Sequence, residues 1–479
     1  MQMRNKSIGL LAGGMVLLLL IGSCKAPQVV LKQENKTVPS AYSGRQEDAR
    51  NVADLNWRTY FADSNLVALI DTALQNNQEL NIVLQEIEIL KNEVRARKGE
   101  YQPFVNMGAG IATEKPGRYT RFGALEEQLE IKPGKAFPEP LQDFSLGLTA
   151  SWEIDIWKKL RNAKKAAMMR YLAGTEGKNF MVTNLIAEIA ESYYELLAMD
   201  NLLKIIDQNI DIQSNALKVV RQQKDAARVT QLAVNRFEAQ LLNTQNLRFS
   251  IRQRITETEN NINFLTGRMP RPVVRSSDRY LEMPMDSFPV GIPAQLLLNR
   301  PDIRQAELQL AASRLDVQVA RANFLPSLGI RADLGFQAFN PVYLVNPHSI
   351  LFNLAGDLMA PLINKNALYA AYNSATAQQI QAVYRYEQSI LNAYTDVLNQ
   401  LSKVQNFNQS YAIKNREVEI LNQSTQIANT LFNSARADYG EVLLTQREAL
   451  EARMDVVEIK MKQLDAKVNI YRALGGGWR

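Results

Sequence analysis

Side chains able to do chemistry are few in this chain of 479 residues. Cys24 is its one cysteine and His348 its one histidine. Internal disulfides, cysteine-based zinc sites and multi-histidine metal sites therefore have no residues to build them. A Ser-His-Asp triad would have to rest on His348 alone. The run Gly475–Gly477 follows a helical segment at the chain's end, which is not where a phosphate-cradling loop sits. Carboxylates are plentiful but scattered over helical polar faces, where solvation is their ordinary role. No catalytic residue, metal ligand or cofactor is expected. What remains is one thiol behind an apolar run, and two short mixed-charge stretches, QQKDAARVTQ (222–231) and FNSARADYGEVL (432–443).

The thiol is placed by the N-terminus. Arg4 and Lys6 precede an apolar run from Ile8 to Ile21, and small residues follow. That is the layout of a secretory leader, too short and wrongly flanked for a spanning helix. Ile21-Gly22-Ser23-Cys24 resembles a bacterial lipoprotein box. The resemblance implies a signal peptide over 1–23, and lipid on the thiol and new amino group of Cys24. Residues 24–60 then form a lipid-anchored N-terminal segment. The plainer reading is a leader followed by an unrelated cysteine. The formal charge of +6 falls to +4 without Arg4 and Lys6, too weak and dispersed to argue for nucleic acid.

The remaining residues fall into a repeat. KNEVRARKGEYQPFVNMGAGI (91–111) aligns with SRLDVQVARANFLPSLGIRAD from Ser313, matching Tyr101 to Phe324 and Pro103 to Pro326. DAARVTQLAVNRFEAQ (225–240) aligns with RADYGEVLLTQREALE (436–451), and NFLTG (263–267) with RALGG (472–476). Their shared order indicates a tandem duplication of roughly two hundred residues. The boundaries expected are 61–267 and 294–479, joined by a proline-rich linker at 268–293 that is either extended or a short packed strand.

Two periodicities alternate inside each half. Leu185, Ile189, Ser192, Leu196, Met199, Leu203, Ile206 and Ile210 keep a three-four spacing. So do Ile303, Ala306, Leu310, Ser313, Val317 and Ala320, with a second seam of Leu308, Ala312, Leu315, Val319 and Ala322 beside them. Adjacent seams let one helix pack on two neighbours. The proline-free stretches from Trp157 to Lys224 and from Asn364 to Phe432 predict helices of about 65 residues, on the order of 100 Å each. Four segments alternate instead, at about 104–113, 143–153, 327–338 and 349–360. Each has the length of a tilted strand through a bilayer. Strands on a soluble core are the ordinary alternative. The leader, the lipoprotein box and the helix lengths argue against it. Only closed barrels span lipid, and four strands close none. Two copies would supply eight strands and three would supply twelve; the count requires sharing without fixing the number.

LLNRPDIRQAE with FLPS, SWEIDIWKKLR at 151–161 and YRALGGGW at 471–478 resemble the TolC-like outer-membrane efflux family, in particular its lipoprotein branch of the OprM/NodT type. The match runs from about Trp57 to Trp478. It implies an α+β membrane protein forming a homotrimer. Its twelve-stranded transmembrane β-barrel would continue into a twelve-helix periplasmic α-barrel in a Gram-negative outer membrane. The implied function is a passive conduit for small molecules, working with a periplasmic adaptor and an inner-membrane RND transporter. Protein secretion through the same architecture, or an elongated lipid-anchored structural protein, are the other readings.

The motifs also have structural jobs. Pro301 suits a first helical turn with Asp302 near its positive end, and Arg304 is spaced to pair with Glu307. Direct contact of this RPDIR stretch with cargo is the alternative. The prolines at 103 and 326 break helices where strands must begin. Gly475–Gly477 end the final helix, with Trp478 as an anchor. Family members narrow the inner tip of the tube with charged or polar rings. The resemblance therefore points to Asp438, beside Arg436 and Tyr439, with Asp225 and Arg228 from the equivalent turn, as gate or adaptor-contact residues. A solvated turn without further role is the competing reading.

Overall fold

A computed structural model of the chain describes residues 26–42, 50–285, 289–434 and 436–478. Cys24 and the leader lie outside them. Each half of the chain runs helix, strand, strand, long helix, helix. The first half has α1 (Ser64–Asn76), α2 (Gln78–Glu100), β1 (Phe104–Glu114), β2 (Leu141–Ile154), α3 (Lys159–Asp225) and α4 (Gln231–Leu265). The second has α5 (Pro301–Ala322), β3 (Ser327–Ala338), β4 (Ile350–Met359), α6 (Asn366–Asn433) and α7 (Tyr439–Ala473). Helices α3 and α6 have 67 and 68 residues, and α4 and α7 have 35 each, so the corresponding helices of the two halves match in length to within one residue. The connection between β1 and β2 holds a short helix, Arg121–Gln128, and a two-stranded hairpin of Glu130–Lys132 with Lys135–Ala136. The described residues of the 268–293 segment include a 3-10 turn at Tyr280–Glu282 and an isolated bridge from Val290 to Asn51, and a further 3-10 turn starts at Pro293.

The chain divides into two compact units, and each draws on both halves. The first comprises residues 26–33, Glu88–Leu172 and Leu308–Val383. Within it the four long strands form one antiparallel sheet in the order β1-β2-β3-β4. Its register sorts the alternating residues by chemistry. Met107, Leu148, Leu334 and Phe352 form one cross-strand row, and Ala109, Leu146, Phe336 and Ile350 the next. On the opposite face Asn106, Thr149, Asp333 and Asn353 align, followed by Gly108, Gly147, Gly335 and Leu351. At Gly147 and Gly335 the strands approach so closely that a Cβ on either would meet the other's Cα at 3.0 and 2.7 Å. Only glycine fits that crossing.

The helix–strand joins are built by the SWEIDIWKKLR and FLPS residues. The buried Asp155 carboxylate accepts from the Leu160 and Arg161 amides at 3.1 and 2.9 Å, starting α3 as a helix cap does. Lys158 bends the chain there with φ 62°. Trp157 Nε1 donates to the Pro326 carbonyl at 2.8 Å, tying the start of α3 to the end of α5. Phe324 is wholly buried against Tyr369 and Tyr372.

The second unit comprises Glu34–Ile87, Ala173–Glu307 and Tyr384–Arg479. Its core takes Ile186, Ile189, Leu196, Leu197 and Met199 from α3, Leu66 and Ile70 from α1, and Val457 and Leu464 from α7. The three-four seam of α3 is therefore interior on more than one side. Here the LLNRPDIR and ALGGGW motifs meet. The buried Arg300 donates to Asp302 at 2.7 and 3.0 Å and to the Ala473 carbonyl at 3.1 Å. Trp478 Nε1 donates to the Asn299 carbonyl at 3.2 Å. Gly475 (φ +90°) lies against the Asn299 carbonyl, where a Cβ would come within 2.6 Å. Gly267 (φ +65°) repeats the arrangement against the Asn76 carbonyl in the first half. One expected contact differs: Arg304 pairs with Glu176 at 3.0 Å, and Glu307 with Lys36 at 2.6 Å. Both partners come from outside α5, because tertiary neighbours offer each group a closer opposite charge than its own helix.

The buried Arg300 holds the half-buried Asp302 carboxylate and a helix-end carbonyl at once. Arg300→Met is expected to cost about 3 kcal/mol, since it strands both partners. Arg300→Lys should recover little of that loss, because one ammonium cannot reproduce the planar fork. Denaturant midpoints of the purified protein measure this, and a midpoint unchanged in Arg300→Met refutes it.

Candidate functional site

Two surfaces of the chain have the chemistry of a passage. The first is the sheet. Its apolar rows are bare in the single chain, with Met107 74% and Phe352 82% exposed. A contiguous apolar surface of this kind marks contact with lipid or with another protein. The opposite face is polar, and its carboxylates are oriented by neutral amides. Gln337 donates to Asp143 at 2.7 Å and Asn353 to Asp333 at 3.2 Å. Among the described residues, no helix is long and apolar enough to cross a membrane.

The second surface is formed by the turns α3–α4 and α6–α7, both in the second unit. Each turn closes with a bond from an amide to the carbonyl five residues back: Arg228 to Gln223 at 2.8 Å, and Arg436 to Leu431 at 2.9 Å. This is the wide closure of a Schellman-type helix end, and Ala227 takes the left-handed conformation (φ 57°) where glycine is more usual. Thr230 and Asp438 are then the N-caps of α4 and α7, and neither side chain makes a cap bond. The structural offset between the turns is 208 residues, three fewer than the 211 implied by aligning Asp225 with Arg436. Arg436 is thus the counterpart of Arg228, and Asp438 of Thr230.

Leu217, Val220, Val234, Phe237 and Val442 form a small core behind the turns, with Tyr439 and Phe432 half-buried against it. In front lies a cavity of about 340 Å³ whose lining includes Arg228, Thr230, Phe432, Asp438 and Tyr439. The structure thus brings Arg228, Asp438 and Tyr439 to one hollow. Arg436 is exposed beside it, and Asp225 pairs with its neighbour Lys224 at 3.6 Å. Among the described residues no ion pair links the two turns within one chain. Sequence reasoning passed over Thr230 and Phe432; the equivalence of Thr230 with Asp438 emerges only from the equal lengths of α4 and α7 in the structure.

Carboxyls outside these surfaces are displaced toward neutrality, Asp465 furthest among them. Asp465 of α7 is pushed up to about 7, by burial first and then by Glu191 and Glu195, with Lys403 opposing. Glu191 is also raised by burial, against Arg472 and an amide bond from Asn469.

A bilayer-length amphipathic sheet, alternating with helices of coiled-coil spacing in a duplicated chain, defines a membrane-channel protomer. The chain belongs to the outer membrane efflux protein family, whose sequence description matches residues 69–268 and 292–476. It is therefore an outer-membrane protein. The solvent efflux pump outer membrane protein SrpC of Pseudomonas putida is 26% identical over 486 residues, covering 99% of each chain. The cation efflux system protein CusC of Escherichia coli K12 is 26% identical over 469 residues, covering 96% of this chain and 98% of its own. The open state of the Neisseria gonorrhoeae MtrE outer membrane channel superposes with a TM-score of 0.82 at 20% identity, over 95% of this chain and 98% of that one.

Three outcomes are expected. Asp438 makes no cap bond, so Asp438→Asn should leave the unfolding free energy within about 0.5 kcal/mol of native. The double variant Asp438→Ala, Arg436→Ala should raise single-channel conductance in planar bilayers; unchanged conductance removes both from any gate. Asp465 holds its proton in the folded chain at pH values where the unfolded chain has lost it. Stability should therefore rise as pH falls from about 8 toward 5, by no more than about 1.4 kcal/mol per unit. Thermal midpoints read this, and Asp465→Asn should flatten the profile.

Proposed function

We propose that three copies of this chain form the outer-membrane conduit of a tripartite efflux system, carrying small molecules outward from a periplasmic adaptor and an inner-membrane RND transporter. The observation that carries the reading is the sheet: four strands, apolar on one face and polar on the other, with β1 and β4 each paired on one side only. In hydrocarbon those edges must be paired, so neighbouring copies supply the partners. Three copies give twelve strands around a lumen lined by the Asn106–Asp333 face. The long helices α3 and α6, paired with α4 and α7, form the periplasmic continuation. Both repeats, 61–267 and 294–479, contribute equally to it, and 268–293 links them.

Cys24 carries the lipid anchor. The α3–α4 and α6–α7 turns form the inner end, where Asp438, Arg436, Tyr439, Asp225 and Arg228 meet the adaptor and narrow the opening. Threefold symmetry repeats each of these side chains around the axis, so charges unpaired within one chain find partners or repulsion across copies. Exposed pairs of this kind contribute about 0.2–1 kcal/mol each, small enough for adaptor contact to outweigh.

The protein purified from outer membranes in mild detergent should have the mass of three chains by light scattering and form pores in planar bilayers. It should copurify with an adaptor encoded beside it. A single-chain mass with no conductance contradicts the proposal.

A further inference from the structure

In the first unit, residues 26–33 run as an extended strap along α5 and α6. Tyr372 Oη donates to the Gln28 carbonyl at 2.7 Å, and Arg321 Nε to the Pro27 carbonyl at 3.0 Å. The fully buried Gln379 donates to the Lys32 carbonyl at 2.8 Å and accepts from the Lys32 amide at 3.1 Å. Its amide thus replaces a neighbouring strand for one residue and fixes the strap's register. Ala26, Val29 and Leu31 pack into a cluster with Val317, Phe324, Tyr372 and Ala375.

The strap has a heading. From Gln33 back to Pro27 it passes from Arg314 (3.5 Å) to Arg321 on α5. From Lys32 back to Gln28 it passes from Gln379 to Tyr372 on α6. Both helices carry it toward the end of α5 and the start of α6, where the strands begin. Cys24 is three residues beyond Pro27, about 10 Å of extended chain. Ahead on this course lies a cavity of about 360 Å³. Ile154, Trp157, Leu325, Pro326, Met359 and Leu368 form its apolar lining, and Leu368 also packs against the strap's cluster. The Glu153–Lys159 pair (2.5 Å) stands at its polar side. Trp157, half-exposed with its Nε1 bonded to the Pro326 carbonyl, has the amphipathic placement of an interfacial tryptophan.

We propose that this cavity seats an acyl chain carried by Cys24 of the same protein. The inference rests on the lipid-bearing role given to Cys24 above. The strap, pinned through Gln28 and Lys32, leaves the modified residue no more than about 10 Å of chain beyond Pro27. The tether makes seating of this acyl chain an intramolecular step, so it stays within reach of the site while the surrounding phospholipid exchanges. The volume lies within the range of ordinary small-ligand sites. Gln379 is a positioning residue, acting on the lipid only through the strap.

The test uses full-length protein from cells grown with a diazirine-bearing palmitate analogue, irradiated in outer membranes and mapped by mass spectrometry. Lipid adducts on peptides spanning Ala322–Pro326 or Met359–Leu368 are expected. They should disappear when the leader is exchanged for a secretory leader that lacks the lipoprotein box. Adducts that persist after the exchange assign the cavity to free phospholipid and overturn the proposal. Absence of adducts at the joint in the native protein overturns it too. Gln379→Leu, recovered at the native assembly size, should lower the joint adducts by about five-fold or more; an undiminished yield removes the strap as the positioning element. An intact mass without lipid removes the anchor on which the proposal rests. Conductance and assembly mass report separately on the channel reading.

Discussion

An unpaired strand edge cannot face hydrocarbon, and the architecture of this chain follows from that. β1 has eleven residues and β4 ten, each with one edge open in the single chain. About half of their backbone groups point outward, and each left unsatisfied in lipid costs several kcal/mol. The sum is tens of kcal/mol, against a net stability of about 5–15 kcal/mol for a typical domain. No side-chain packing within one copy offsets such a deficit. The edges must be joined to other edges, and only a wall shared between copies does so.

The same constraint explains the joins. A helix satisfies its own backbone, while a strand depends on neighbours, so a change from one to the other leaves groups exposed at the boundary. Here the boundary is built from specific partners. Asp155 takes the first free amides of α3, and Trp157 takes the carbonyl of Pro326. Trp152 Nε1 takes the Tyr101 carbonyl at 3.1 Å, just before β1 begins. The residues that give SWEIDIWKKLR its character are therefore those that satisfy the backbone where helix meets strand.

Elements governed by local periodicity were legible in the sequence. The alternation of Met107, Leu148, Leu334 and Phe352 marked their strands, and the register later placed all four in one row. The proline-free stretches marked α3 and α6, because nothing in them interrupts a helix. Long-range partners were not legible. Arg304 and Glu307 have the spacing of a helical pair, yet each finds a nearer charge on another segment. The turn alignment slipped by three residues because Asp225 and Arg436 were matched by neighbourhood composition. Their actual equivalence is set by the closing amide bonds at Arg228 and Arg436, which carry no strong sequence signature. The short helix at Arg121–Gln128 was not legible either, because the glycines and prolines around it carry the composition of a loop.

The two halves are equal in backbone and unequal in chemistry, and the difference follows from where each helix end lies. Gly267 and Gly475 lean on the carbonyls of Asn76 and Asn299 in the same way, so backbone geometry is common to both. In the first half the next residue is Asn77, whose side chain accepts from Leu80 and donates to the Leu265 carbonyl at 2.9 Å. In the second half the corresponding work falls to Arg300, which reaches Ala473, Asp302 and Asp396. A neutral amide and a buried guanidinium solve the same problem of a helix-end carbonyl. The arginine needs a carboxylate to balance its burial, and that need fixes Asp302 beside Pro301. The RPD signature is thus the charged version of a tie that the first half makes with one asparagine. Its place in the structure is that of a brace between the first and last helices of a repeat, on the packed interior of the second unit.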